Sequence, residues 1–259
     1  MAELNDRSVS IGRIFSRAFG VLGNNPAVVF GVALILGAGP QLLYTLLIGN
    51  PAALQQTPFS GAAIGAGLLV GLVSLVSRSL VTGCITRATV AYSQGRRASL
   101  GECLSVALAR FLPVIVVSIL FGLAVILGMI LLIVPGVMLA VMWAVVVPVT
   151  VEENTGIGGA FGRAQDLTRG ARWKIFGLFL LLFLIAIGIG IIAGLVSAMV
   201  IGLSYTNPTV SMTTTAILFN LLVTTIASAL WAALQTSLFV ELREWKDGPM
   251  EAKLGEIFE

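Results

Sequence analysis

The chain has 259 residues, 58% of them hydrophobic and only 10% charged, with a mean hydropathy of +1.03. A soluble domain carries about 25% charged residues, so this composition excludes a globule solvated on all sides by water and makes lipid the solvent for most of the surface. Histidine is absent and there are two cysteines, which removes the commonest general base and metal ligand and any disulfide scaffold; the net charge of +3 is small, and its placement says more than its size.

Residues 8–22 place Ile11, Ile14, Phe15, Ala18, Phe19 and Leu22 on one face at helical spacing, with Arg13, Ser16 and Arg17 opposite. That pattern predicts an amphipathic helix ended by Asn24-Asn25-Pro26. No apolar core precedes Arg17, so insertion is expected to be driven by the spans rather than by a cleaved signal. Residues 27–49 read as the first span, since a bilayer core needs about 20 helical residues, and Pro40 predicts a kink within it. Residues 50–60, with Pro51 and Pro58, form an uncharged loop. Residues 61–93 predict a second, longer helix with close-packing pairs at Gly61/Gly65 and Gly67/Gly71. Residues 99–110 predict a second amphipathic helix, opened by a capping box of Ser99 and Glu102.

Residues 111–134 and 137–151 are the third and fourth spans, joined by a sharp turn at Pro135-Gly136, with a further kink expected at Pro148. Residues 156–170 are a third amphipathic stretch. The fifth span covers 173–202, with a small-residue stripe at Ala186, Gly190, Gly194 and Ala198, and leads through an uncharged loop at 203–211 to the sixth helix at 212–246. Asn220 and Gln235 in that helix are expected to bond across helices. Its charged end, Glu241, Arg243, Glu244 and Lys246, reads as a solvated face, and 248–259 as a short charged tail. Cys84 and Cys103 read as reduced and inert.

The three amphipathic stretches align. Ile11, Leu100 and Ile157 correspond, as do Ile14, Cys103 and Ala160; Phe15, Leu104 and Phe161; and Ala18, Ala107 and Ala164. Each precedes two spans. The expected fold is therefore an all-α integral membrane protein. Its six transmembrane helices and three interfacial elbow helices form one domain of three pseudo-repeated elbow-plus-hairpin units, 8–97, 98–154 and 155–247. Every lysine and arginine except Arg78 falls before span one, in the 2–3 and 4–5 connections or after span six, while the other connections hold none. The positive-inside rule makes that side cytoplasmic, with both termini on it. Trp173 and Trp245 are expected there as interfacial anchors.

Ile133-Val134-Pro135-Gly136 between two spans, then Trp143, Pro148, Glu152 and the run from Ala160 to Gly170, resemble the membrane domain of glycerophosphoryl diester phosphodiesterases and related bacterial six-span membrane proteins. The likeness in layout covers nearly the whole chain and the specific motif residues 131–176. In that family the membrane domain is sometimes fused to a catalytic barrel. The histidines and clustered carboxylates of that barrel are missing here, so the resemblance implies a membrane module without the phosphodiesterase activity.

Arg78 is a charge in an apolar helix and needs either a partner or a route to water. At about 1.5 Å per residue, it lies about 26 Å along its helix from Gly61, and Glu152 about 24 Å from the turn after Gly136. The expectation is an intramembrane ion pair of Arg78 with Glu152 or Glu153; the other reading is that Arg78 snorkels to the interface. Pro40 and Pro148 are read as kinks. The expected function is that of a non-catalytic polytopic protein of the bacterial inner (plasma) membrane, acting as scaffold, anchor or accessory subunit. The alternative is a transporter or lipid-handling protein using the Arg78/Glu152 region. No enzyme activity, cofactor, metal or nucleic-acid partner is expected. The expected partners are membrane lipids, with anionic headgroups against Arg13, Arg17, Arg87, Arg110, Arg163, Arg169, Arg172 and Lys174, and another membrane protein.

Overall fold

The computed structural model describes residues 9–40, 42–43, 61–206 and 212–248. The end of the first span, the loop with Pro51 and Pro58, residues 207–211 and the tail from 249 lie outside the described residues, as do the side chains of Ala198 and Asn220. The described residues are mostly helical, without strands: α1 Ile11–Asn24, α2 Pro26–Val32 continuing into a π-helical stretch Ala33–Ala38, α3 Gly61–Ser93, α4 Leu100–Ala109, α5 Phe111–Leu131, α6 Ile133–Met142, α7 Val146–Glu152, α8 Gly156–Thr168, α9 Arg172–Thr206 and α10 Met212–Asp247. Among the described residues, four stretches are long and apolar enough to cross a membrane: Phe111–Leu131, Ile133–Glu152, Arg172–Ile192 and Leu221–Asp247. The pair Ile11–Asn24 and Pro26–Ala38, bent by 95°, brings the number up to five. The chain is a multi-pass α-helical membrane protein.

Local chemistry sets the joints. Pro26 opens α2 at a first-turn position, where its missing N–H has no intrahelical acceptor to lose, and the 95° bend falls just before it. At Pro40 the absent amide deprives the Leu36 carbonyl of its donor, and the turns before it widen into the π-helical stretch, with Gly39 N–H bonding back to Leu34 O. Ser99 caps α4 by accepting from Glu102 N at 3.1 Å. Only this half of the expected capping box forms, because the Glu102 carboxylate turns instead to Arg87 and Arg96.

The reversal between the third and fourth spans is a correction to the sequence reading. The turn lies at Leu132, in extended conformation, and Pro135-Gly136 belong to the first turn of α6. Proline is tolerated there, and Gly136 lets α5 and α6 meet at backbone distance: a Cβ on Gly136 would stand 2.7 Å from Met129 N and 2.9 Å from Met129 Cα.

The Pro148 break is likewise displaced. The helix opens at residues 143–145, and α7 restarts at Val146 with Pro148 in its first turn. Pro148 cannot donate to the Ala144 carbonyl, and Gln235 Nε2 on α10 does so instead, at 3.0 Å. Val146 N turns to Trp143 O, and the Met142 carbonyl it leaves lies 2.9 Å from the Thr168 hydroxyl on α8. A span broken inside apolar surroundings is thus repaired by side chains of two neighbouring helices, as a low-dielectric environment demands. Gln235→Leu is expected to cost about 1–3 kcal/mol through the orphaned carbonyl. The same change in a Pro148→Ala background should cost less, because the restored amide can reach Ala144. Detergent-solubilised thermal unfolding of the four proteins of this cycle measures the coupling, and additivity would refute the repair.

The core lies where α10 packs on α3 and α1, and α3 packs on α4 and α7. Residues 232–234 and 236–242 of α10 are all buried. By contrast, only 11% of the most apolar stretch of α5 and of α9 is buried, against 44% for the α6–α7 span and for α10. The hairpin tip from Ile130 to Val134 is 66–78% exposed. An exposed apolar surface this extensive is lipid-facing in a membrane protein. The face expected for α1 holds at Ile14, Ala18 and Leu22, but Phe19 is exposed and stacks on Phe15.

Candidate functional site

The charged residues meet at the end of the bundle where α3, α7 and α10 finish and α1, α4 and α8 lie across them. Glu241, expected to be solvated, is 3% exposed. It accepts Ser10 N at 3.1 Å, Arg13 Nε at 2.8 Å and Arg13 Nη2 at 2.6 Å. Arg17 Nη2 pairs with Glu244 at 2.7 Å, and its Nη1 lies 3.9 Å from Glu241 Oε2, an ion pair beyond hydrogen-bond reach. The end of α10 therefore anchors α1. It also anchors α8, since Arg163 joins Asp247 and donates through Nε to Glu153 at 2.7 Å, with Arg243 3.8 Å from the same carboxylate. Its two carboxylate partners raise the Arg163 pKa further above its ordinary value.

Arg87 of α3 faces two carboxylates, Glu102 of α4 at 2.7 Å and Glu152 at 3.6 Å. Arg96 pairs with Glu102 at 3.0 Å, and these guanidinium hydrogen bonds, first from Arg96 and then from Arg87, hold the Glu102 carboxyl below the usual carboxylate range. Arg110 donates to Asn154, Arg97 to Asn24 at 3.2 Å, and Asn25 Nδ2 to the Ala98 carbonyl at 2.9 Å. Each amphipathic helix is thus tied by a guanidinium–carboxylate pair to the end of a long helix or to the close of the fourth span. Arg169, Arg172 and Lys174 have no ion pair among the described residues; Arg169, Lys174 and Trp173 are exposed at the head of α9. Trp245 is not a free anchor. It packs against Gly170, whose φ of +92° suits only glycine and whose added Cβ would stand 3.1 Å from the indole, and Lys246 Nζ lies 4.9 Å over its ring.

The structure does not bring Arg78 to Glu152 or Glu153. Arg78 is exposed and has no partner among the described residues, whereas Glu152 meets Arg87, nine residues and about 13 Å further along α3. Part of that distance comes from the start of the fourth span. The helix begins at Ile133, four residues before the expected start at 137, and the stretch to Glu152 is 20 residues long, which carries the carboxylate about 6 Å further. Beside Glu152 a cavity of about 320 Å³ opens between α3, α4 and α7, lined by Arg87, Val106, Ala109, Arg110, Val151 and Glu152.

Among the described residues no group of three or more Cys, Asp or Glu is placed to hold a metal ion. Both cysteines are free and buried, and burial pushes the Cys103 thiol up to about 11. The chemistry at this end is therefore that of fixed ion pairs holding helices together, next to one partly charged cavity. Fold and site together define a multi-pass α-helical membrane protein with a charged, interlocked end. Comparisons of the chain with protein-family models, curated proteins and solved structures return no match.

Proposed function

We propose that the chain is a non-catalytic membrane module, a scaffold, anchor or accessory subunit, that holds a transmembrane helix of another membrane protein. The observation that supports this most is one face of α3. Gly67, Gly71, Ser74 and Arg78 recur at helical spacing, are all exposed, and no described residue would touch a Cβ on either glycine. Small residues let a second backbone approach closely, and a guanidinium beside them with no partner among the described residues, costly in lipid, selects a partner helix carrying a carboxylate. In this reading the protein has six spans, α3 among them, with α1, α4 and α8 as interfacial elbows. It resides in the bacterial cytoplasmic membrane with both termini and the interlocked end on the cytoplasmic side, against anionic headgroups. The layout is that expected of the membrane domain of glycerophosphoryl diester phosphodiesterases.

A photo-crosslinking residue at position 74 is expected to yield a discrete protein adduct in native membranes. That adduct should be lost with Arg78→Leu and absent for a probe at Leu123 on exposed α5. Lipid adducts alone at both positions would reject the reading. The second reading, a lipid-handling protein, is favoured by the cavity at Glu152 rather than by Arg78.

A further inference from the structure

The cavity between α3, α4 and α7 has about 320 Å³, near the low end of the about 300–1,000 Å³ of small-molecule sites. Its charged lining is Arg87, Arg110 and Glu152, one positive charge in excess, and its apolar lining is Val106, Ala109 and Val151. Glu152 is nine-tenths buried, and Oε1 has no hydrogen-bond partner among the described residues. Its other oxygen has only the 3.6 Å approach of Arg87, whose Nε and Nη2 are spent on Glu102. A buried carboxylate with an empty acceptor site costs free energy until a donor arrives. Arg110 commits one nitrogen to Asn154 and keeps the rest of its guanidinium for an acceptor, as a phosphate-binding arginine does. On either side of it in the chain, Leu108 and Leu112 are exposed, 57% and 71%, where acyl chains would run.

We infer that this cavity binds a phosphodiester headgroup bearing an ammonium with at least one N–H, the phosphate against Arg110 and the ammonium donating to the Glu152 carboxylate. Oε2, with Arg87 at 3.6 Å and so beyond hydrogen-bond distance, keeps its acceptor capacity for that donor. A trimethylated ammonium has no N–H to give and is excluded. A neutral glycerol hydroxyl brings a donor without the countercharge and binds more weakly. The site lies on different helix surfaces from the α3 stripe and stands or falls separately from the proposed function.

The test is native mass spectrometry of the full chain with phosphatidylethanolamine and its mono-, di- and trimethyl derivatives of equal acyl chains. The first three lipids each keep an N–H. They are expected to bind comparably and about tenfold tighter than the trimethyl lipid; a smooth decline from the first methyl, or no preference, overturns the inference. Glu152→Gln should bring phosphatidylethanolamine down to the level of the trimethyl lipid, and Arg110→Gln should weaken all four. Retention of the full preference in Glu152→Gln also overturns it. Glycerophosphoethanolamine added in solution separates the sources. Competition at equal concentration assigns the site to a free headgroup, and competition only by the acylated lipid assigns it to the membrane; both support the headgroup chemistry.

Discussion

Replacing Glu241 by alanine is expected to destabilise the folded chain by about 2–3 kcal/mol. Removing one partner of a buried ion pair costs about 3–5 kcal/mol, discounted here because Arg13 is 55% exposed, although Arg17 is only 18% exposed. The loss has two parts. Ser10 N loses its acceptor, so α1 loses an unusual cap supplied by a remote helix, and Arg13 and Arg17 are left beside an apolar surface. Glu241→Gln keeps an acceptor oxygen and should cost about half as much, whereas Arg13→Ala, which takes two hydrogen bonds from the buried Glu241 carboxylate but leaves it Ser10 N and Arg17, should cost about 1–3 kcal/mol. Thermal unfolding in one detergent orders the three variants. A Glu241→Ala protein as stable as the parent would mean that the α1–α10 lock contributes nothing to stability.

Gly136→Val is expected to cost about 3 kcal/mol, the upper part of the range for overpacking. The atoms it would strike, Met129 N and Cα, are backbone, so no rotamer change makes room and α5 and α6 must separate. Gly122, on the same helix as Met129, has nothing within 4 Å of an added Cβ, and Gly122→Ala should be neutral or stabilising by up to about 1 kcal/mol. Similar unfolding temperatures for the two variants would show that the hairpin does not depend on this close approach.

The contrast between those two glycines shows what a sequence reveals and what it withholds. Helix limits were legible, because period, caps and breakers are local. Residues 61–93 and 212–246 were expected, and Gly61–Ser93 and Met212–Asp247 are found. The aligned amphipathic positions were legible too. Ile14, Cys103 and Ala160 are all buried, and so are Ala18, Ala107 and Ala164, because the same period turns the same residues inward. Pro135-Gly136 misled because the pair is common in turns and equally suited to a first helical turn against a close neighbour; only the position of α5 distinguishes the two. The ionic partners were illegible for a related reason. Arg78 and Arg87 are both arginines on α3, and nothing in the chain near either one says which of them faces Glu152. Glu241 looked like any charge at a helix end, since nothing near it in the chain announces Ser10, 231 residues earlier.

That separation has a consequence for how the protein is made. Translation makes α1 before α10, and the carboxylate that caps α1 follows 231 residues after Ser10. Until α10 has been made, Arg13 and Arg17 lack Glu241 and Glu244, and the contact between α1 and α10 cannot close. Closure of that contact therefore waits on the synthesis of α10, and a chain stalled before it leaves α1 unclasped.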